Sequence, residues 1–110
     1  WLPGMVYEPN QSNAALMQKL TNMVLSKTPD LHERQITALV NRPDASAYLP
    51  QITCPTLLVV GQHDQWSPVS QHKDMLELLP DARLVVIENA GHFAPLEQPD
   101  AVADVLVPFL

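Results

Sequence analysis

Asp64 and His92 are the two residues whose types and spacing suit proton-transfer chemistry. Asp64 lies in the segment Gly61-Gln62-His63-Asp64-Gln65-Trp66-Ser67-Pro68, directly after the apolar run Thr56–Val60. His92 lies in Asn89-Ala90-Gly91-His92-Phe93, directly after a second β-forming run, Arg83–Ile87. A carboxylate bonded to an imidazole Nδ1–H fixes the tautomer, leaves Nε2 free as a base and stabilises the imidazolium. That pairing requires the two runs to be neighbouring parallel strands, because side chains at the carboxyl ends of such strands emerge on one edge of the sheet.

The residues around this pair are less telling. His63 beside Asp64 suggests a metal-binding pair, but a metal site needs three or four convergent ligands. His32 and His72 fall on helical stretches that do not converge on it, so no metal is expected. Ser67 and Ser70 are the serines nearest Asp64; Ser67 reads as a helix cap, and neither reads as a nucleophile. Trp66 and Phe93 adjoin the pair and suit either a substrate pocket or plain packing. Cys54, the single cysteine, reads as a small buried thiol before a strand.

Positioning these residues takes two halves of different grammar. Residues 1–11, with Pro3, Gly4 and Pro9, read as an irregular lead-in. Leu16, Leu20, Met23 and Val24 recur at helical spacing within Ser12–Lys27. Thr28-Pro29-Asp30 is a helix start, with Thr28 as N-cap, and that helix runs to about Asn41 before Arg42-Pro43 ends it. After a turn-rich stretch, 44–55, the strand Thr56–Val60 reads as buried on both faces. Ser67-Pro68 starts a helix that ends at Pro80, followed by the strand from Arg83 and a loop from Glu88 to Gln98. Pro99 opens a last helix in which Pro108 should kink or stop the chain a turn early. The expected fold class is α/β, with a strand–helix–strand–helix second half. Two parallel strands make a poor domain by themselves, so further strands from a larger parent or a homo-oligomer are expected.

Bulk properties narrow the partners. A formal net charge of −6, with six scattered Lys and Arg residues, offers neither nucleic acid nor an anionic membrane a basic surface. No stretch resembles a signal peptide and the longest apolar run is too short to span a bilayer, so a soluble cytoplasmic protein is expected. The first residue is Trp1 rather than Met, which suits a piece of a longer product.

Residues 52–110 resemble the C-terminal end of α/β-hydrolase fold proteins. The resemblance rests on the apolar strand running into G-x-x-D-x-x-x-P (61–68), on L-P-D-A-R-L (79–84) and on G-H-F-A-P-L-E-Q-P (91–99). The family's triad runs Ser, then Asp, then His, which implies Asp64 as triad acid and His92 as triad base, with Glu97 supporting the histidine loop. The run Arg34-Gln35-x-x-Ala38-Leu39-x-x-Arg42-Pro43-Asp44 resembles cap sequences of esterase- and lactonase-like members. The resemblance therefore implies a fragment of the fold: a partial helical cap over 1–50, then over 51–110 the last two parallel strands and their helices. It implies hydrolysis of a carboxylic ester, a lactone or a related bond in a small-molecule substrate, with no cofactor.

The chain departs from the family pattern in one respect. None of its three glycines, Gly4, Gly61 and Gly91, flanks a serine as G-x-S-x-G, and no HGGG-type segment is present. Without nucleophile and oxyanion hole an Asp–His pair has nothing to activate, so the 110 residues alone are expected to be inactive. Members of the same fold that open haloalkanes, epoxides or carbon–carbon bonds are the alternatives within the class. A non-catalytic remnant or binding protein on the scaffold is the alternative outside it.

Overall fold

The computed structural model describes all 110 residues. Three short 3-10 turns (Leu2–Met5, Glu8–Ser12, Leu49–Gln51) accompany five helices and two strands. In chain order these are α1 (Ala14–Leu25), α2 (Pro29–Val40), β1 (Thr56–Gly61), α3 (Val69–Leu78), β2 (Ala82–Ile87), α4 (Ala94–Glu97) and α5 (Pro99–Phe109). No helix is long and apolar enough to cross a membrane.

The first two helices start where their caps dictate. Asn13 Oδ1 accepts from the Leu16 N–H at 3.1 Å, and Thr28 Oγ1 accepts from the Leu31 N–H at 3.2 Å, each satisfying one donor the first turn leaves free. Asp44 closes the turn after α2. Its Oδ1 accepts from the Ser46 hydroxyl and N–H, bonds that hold its carboxyl below the usual carboxylate range.

β1 and β2 pair in parallel, from Thr56 opposite Ala82 to Gly61 opposite Ile87. α3 forms the crossover and packs on both strands, while α5 packs on β2. The core lies between the sheet and α5. Ile87, Ala90, Ala94 and Val102 form it, with Val59, Val85 and Val105 packed against them.

Several expectations are corrected. Cys54 is exposed rather than buried, because residues 52–55 approach β1 with nothing packed over them. β1 is only half-buried from Thr56 to Val59, since its outer edge has no partner strand. The lead-in is two 3-10 turns rather than irregular chain, and the loop after β2 contains α4. Pro108 does not stop α5 early. In the last turn its missing N–H costs one bond, and the Leu110 N–H still closes on the Leu106 carbonyl at 3.1 Å.

Candidate active site

The in-register parallel pair ends both strands at one level, so the loops that follow leave side by side. The ladder continues into them: the Gln62 N–H donates to the Ile87 carbonyl at 2.8 Å and the His63 N–H to the Ala90 carbonyl at 2.9 Å. Glycine at 61 makes this contact possible, because a Cβ there would stand 2.1 Å from the Gly91 carbonyl oxygen. Asn89, at φ 55°, turns the chain after β2; asparagine is among the few residues that tolerate the left-handed region.

Asp64 and His92 meet across these loops, with His92 Nδ1 2.8 Å from Asp64 Oδ2. A carboxylate only accepts, so Nδ1 carries the shared proton and Nε2 is left with no protein partner. The two side chains differ in access, Asp64 being 7% exposed and His92 36%. The acid is sequestered while the imidazole remains reachable. The other oxygen of Asp64 accepts from the Trp66 and Ser67 amides, both at 2.9 Å. Asp64 therefore holds the turn before α3 with one oxygen and the imidazole with the other. The expected cap role of Ser67 passes to it: Pro68 occupies the cap position of α3 without a side-chain bond, and the Ser67 hydroxyl bonds Gln71 instead.

A strap formed by residues 5–10 locks the histidine loop from the opposite side. The His92 N–H donates to the Met5 carbonyl at 2.7 Å. Glu97 Oε2 accepts from the Gly91 N–H at 2.9 Å and the Phe93 N–H at 3.2 Å, and Oε1 accepts from the Tyr7 N–H at 2.8 Å and Asn10 Nδ2 at 3.1 Å. Glycine at 91 lets the strap approach, since a Cβ there would lie 2.5 Å from the Met5 carbonyl oxygen. The family-implied support role of Glu97 corresponds to these four bonds. The strap itself has no trace in the sequence pattern, because its bonds join residues about 90 positions apart and carry no periodicity.

Next to His92 lies a cavity of about 500 Å³, walled mainly by Trp1, Met5, Met23, Val24, His32 and Phe93. Phe93 thus stands where pocket lining was expected. Trp66 is not part of the wall; its ring lies 6.2 Å from His92 and 6.0 Å from Trp1, about half exposed. Trp1 stacks on His32 with ring centroids 6.1 Å apart, a pairing the sequence reading missed. His63 stacks on Tyr7 at 4.2 Å, His72 Nδ1 meets the Pro68 carbonyl, and no three His, Cys, Asp or Glu residues are grouped to hold a metal ion.

Known proteins share this arrangement of chain. An esterase from Thermogutta terrifontis, solved with malate bound, superposes with a TM-score of 0.91 at 33% identity, covering 97% of this chain and 40% of its own. Est816, described as an N-acyl homoserine lactone degrading enzyme, gives a TM-score of 0.79 at 26% identity, covering 99% of this chain and 44% of its own. A 2-hydroxy-6-oxononadienedioate/2-hydroxy-6-oxononatrienedioate hydrolase from Pseudomonas putida is 28% identical over 108 residues, 96% of this chain and 38% of that protein. The chain spans less than half the length of each. The model of the Alpha/beta hydrolase family matches residues 4–105. With nearly the whole chain inside that match, these 110 residues belong to the alpha/beta hydrolase family.

Proposed function

We propose that this chain supplies the acid and base of a Ser-Asp-His hydrolase that cleaves a carboxylic ester, a lactone or a related bond. The observation that carries the reading is the 2.8 Å contact between a sequestered Asp64 and a reachable His92, whose Nε2 is free beside a largely apolar cavity. In this reading a serine from outside residues 1–110 attacks the carbonyl. His92 Nε2 takes the serine proton and gives it to the leaving group. It then takes a proton from the water that attacks the acyl-serine and returns it to the serine as the acid leaves, while Asp64 holds the tautomer and stabilises the imidazolium. No cofactor is required. Residues 1–50 act as part of a helical cap, α1 and α2 closing the cavity over His92, and Phe93 contacts the small-molecule substrate there, while Trp66, outside the wall, meets only a substrate group that extends past His92.

The cavity wall favours a substrate whose acyl or alcohol part is apolar. Apolar p-nitrophenyl esters assayed with the longer protein that carries this chain test the reading. Turnover that survives His92→Ala would overturn it. A second reading, cleavage of a carbon–carbon bond beside a carbonyl, is favoured by the likeness to the Pseudomonas putida hydrolase across 96% of the chain. Turnover of a vinylogous diketone in preference to any ester would select it. A protein that binds such compounds without turning them over would instead be a non-catalytic member of the fold.

A further inference from the structure

We infer that the start of α2 gives the cavity a carboxylate-binding wall, made by Lys27, His32 and Gln35, so that the substrate is an ester or lactone whose apolar chain ends in a carboxylate; this deepens the hydrolase reading above and rests on it. Thr28, His32 and Gln35 stand at i, i+4 and i+7, one face of the helix, and all three border the cavity together with Lys27. Their stripe is roughly 10 Å long at the rise of an α-helix. The acids of the same helix lie elsewhere. Asp30 and Glu33 line a separate surface depression with Arg34, and Asp30 is taken by Arg34 at 2.9 Å. α2 therefore sorts its polar groups, acids on one face and hydrogen-bond donors on the face that meets the cavity.

The cavity runs against the charge balance of the chain. Twelve Asp and Glu residues outnumber six Lys and Arg, yet no acid borders it. Asp64 is sequestered behind His92 and bonded to it. The ion pairs of the chain are Arg34–Asp30 and His92–Asp64, which leaves the Lys27 ammonium without a carboxylate. Trp1 stacks on the face of His32. The His32 nitrogens, at the ring edge, bond to nothing in the chain, unlike Nδ1 of His72 and of His92. An ammonium, an imidazole N–H and an amide NH2 are all donors, and a donor set with a full positive charge suits a carboxylate over a neutral acceptor. Met5, Met23 and Val24 supply apolar wall and His92 the reacting group. A substrate that matches both is apolar along its length and anionic at the end away from the scissile carbonyl.

The test uses the longer protein and pairs of esters that differ in one terminal carboxylate. The mono-p-nitrophenyl esters of adipic and suberic acid are compared with p-nitrophenyl hexanoate and octanoate, and the ratio of kcat/KM within each pair is read. Wild type should favour the acid-terminated ester by about tenfold in at least one pair, mainly through KM, the lower end for hydrogen bonds to a charged group because the site is open to water. Lys27→Met should abolish that preference, and His32→Phe, which keeps a ring to stack on Trp1, should reduce it. Lys19→Met removes the same charge from α1 outside the cavity wall and should leave the ratio as in wild type. Neutral esters preferred or equal in both pairs, or a preference that survives both Lys27→Met and His32→Phe, overturns the inference. If no ester is turned over, the hydrolase reading fails alone, and calorimetry with octanoate and octanamide decides the carboxylate site. Octanoate binding about tenfold tighter than octanamide, with the difference lost in Lys27→Met, upholds it; equal binding of the two overturns it.

Discussion

At the level of single residues, Asp64 has two duties that its oxygens divide. Replacing it with asparagine keeps the shape but substitutes an NH2 group for one acceptor, so the Nδ1–H of His92 or the amides of Trp66 and Ser67 lose a partner. Asp64→Asn should therefore lower kcat on the order of 10³- to 10⁴-fold, the scale seen when a triad histidine is held in the wrong tautomer; steady-state kinetics on an ester checks this. The glycines of the two loops act on folding rather than chemistry. Gly61→Ala places a Cβ 2.1 Å from a carbonyl oxygen, so the loops must part, and a loss of about 1–3 kcal/mol is expected in denaturant unfolding. Asp64 and His92 were legible in the sequence because each follows a β-forming run at once, and parallel pairing then leaves them little choice but to meet. Trp1, His32 and the strap were not legible, because long-range contacts of irregular chain leave no local pattern.

Among the elements, those with periodicity and caps were readable and the short ones were not. α1 declares itself by its apolar spacing, and α2 by Thr28 and Pro29, which fix its start, whereas the Asn13 cap of α1 is seen only in the structure. α4 spans four residues, barely more than one turn and too little for a helical stripe. The 3-10 turns of the lead-in are punctuated by Pro3 and Pro9, which hide regular structure behind a loop-like composition. Ser67 misled because Ser-Pro is an ordinary helix start, whereas here the amides ahead of α3 had already found Asp64. The cap of α2 bears on the site, since Thr28 also borders the cavity. Thr28→Ala should cost about 1 kcal/mol of stability and raise KM for the larger apolar esters, while Asn13→Ala, remote from the cavity wall, should cost stability alone.

For the molecule as a whole, these elements do not close on themselves. The radius of gyration is 15.6 Å, against about 13 Å for a compact chain of this length. Leu39, Val40, Val86 and Val107 are exposed, and each strand has one unpaired edge. Such edges and apolar faces recruit partners. The 110 residues alone should therefore elute as an oligomer or melt without a cooperative transition, and light scattering with circular dichroism checks this. A monomer with a sharp melt would contradict it.

The central claim, that Asp64 and His92 are the relay of a hydrolase whose serine lies elsewhere, is tested most directly by fluorophosphonate labelling followed by peptide mapping. The account predicts that the longer protein is labelled on a serine outside residues 1–110, that labelling collapses in His92→Ala, and that the 110 residues alone stay unlabelled. Label on Ser67 or Ser70, or labelling of the longer protein unaffected by His92→Ala, would contradict it.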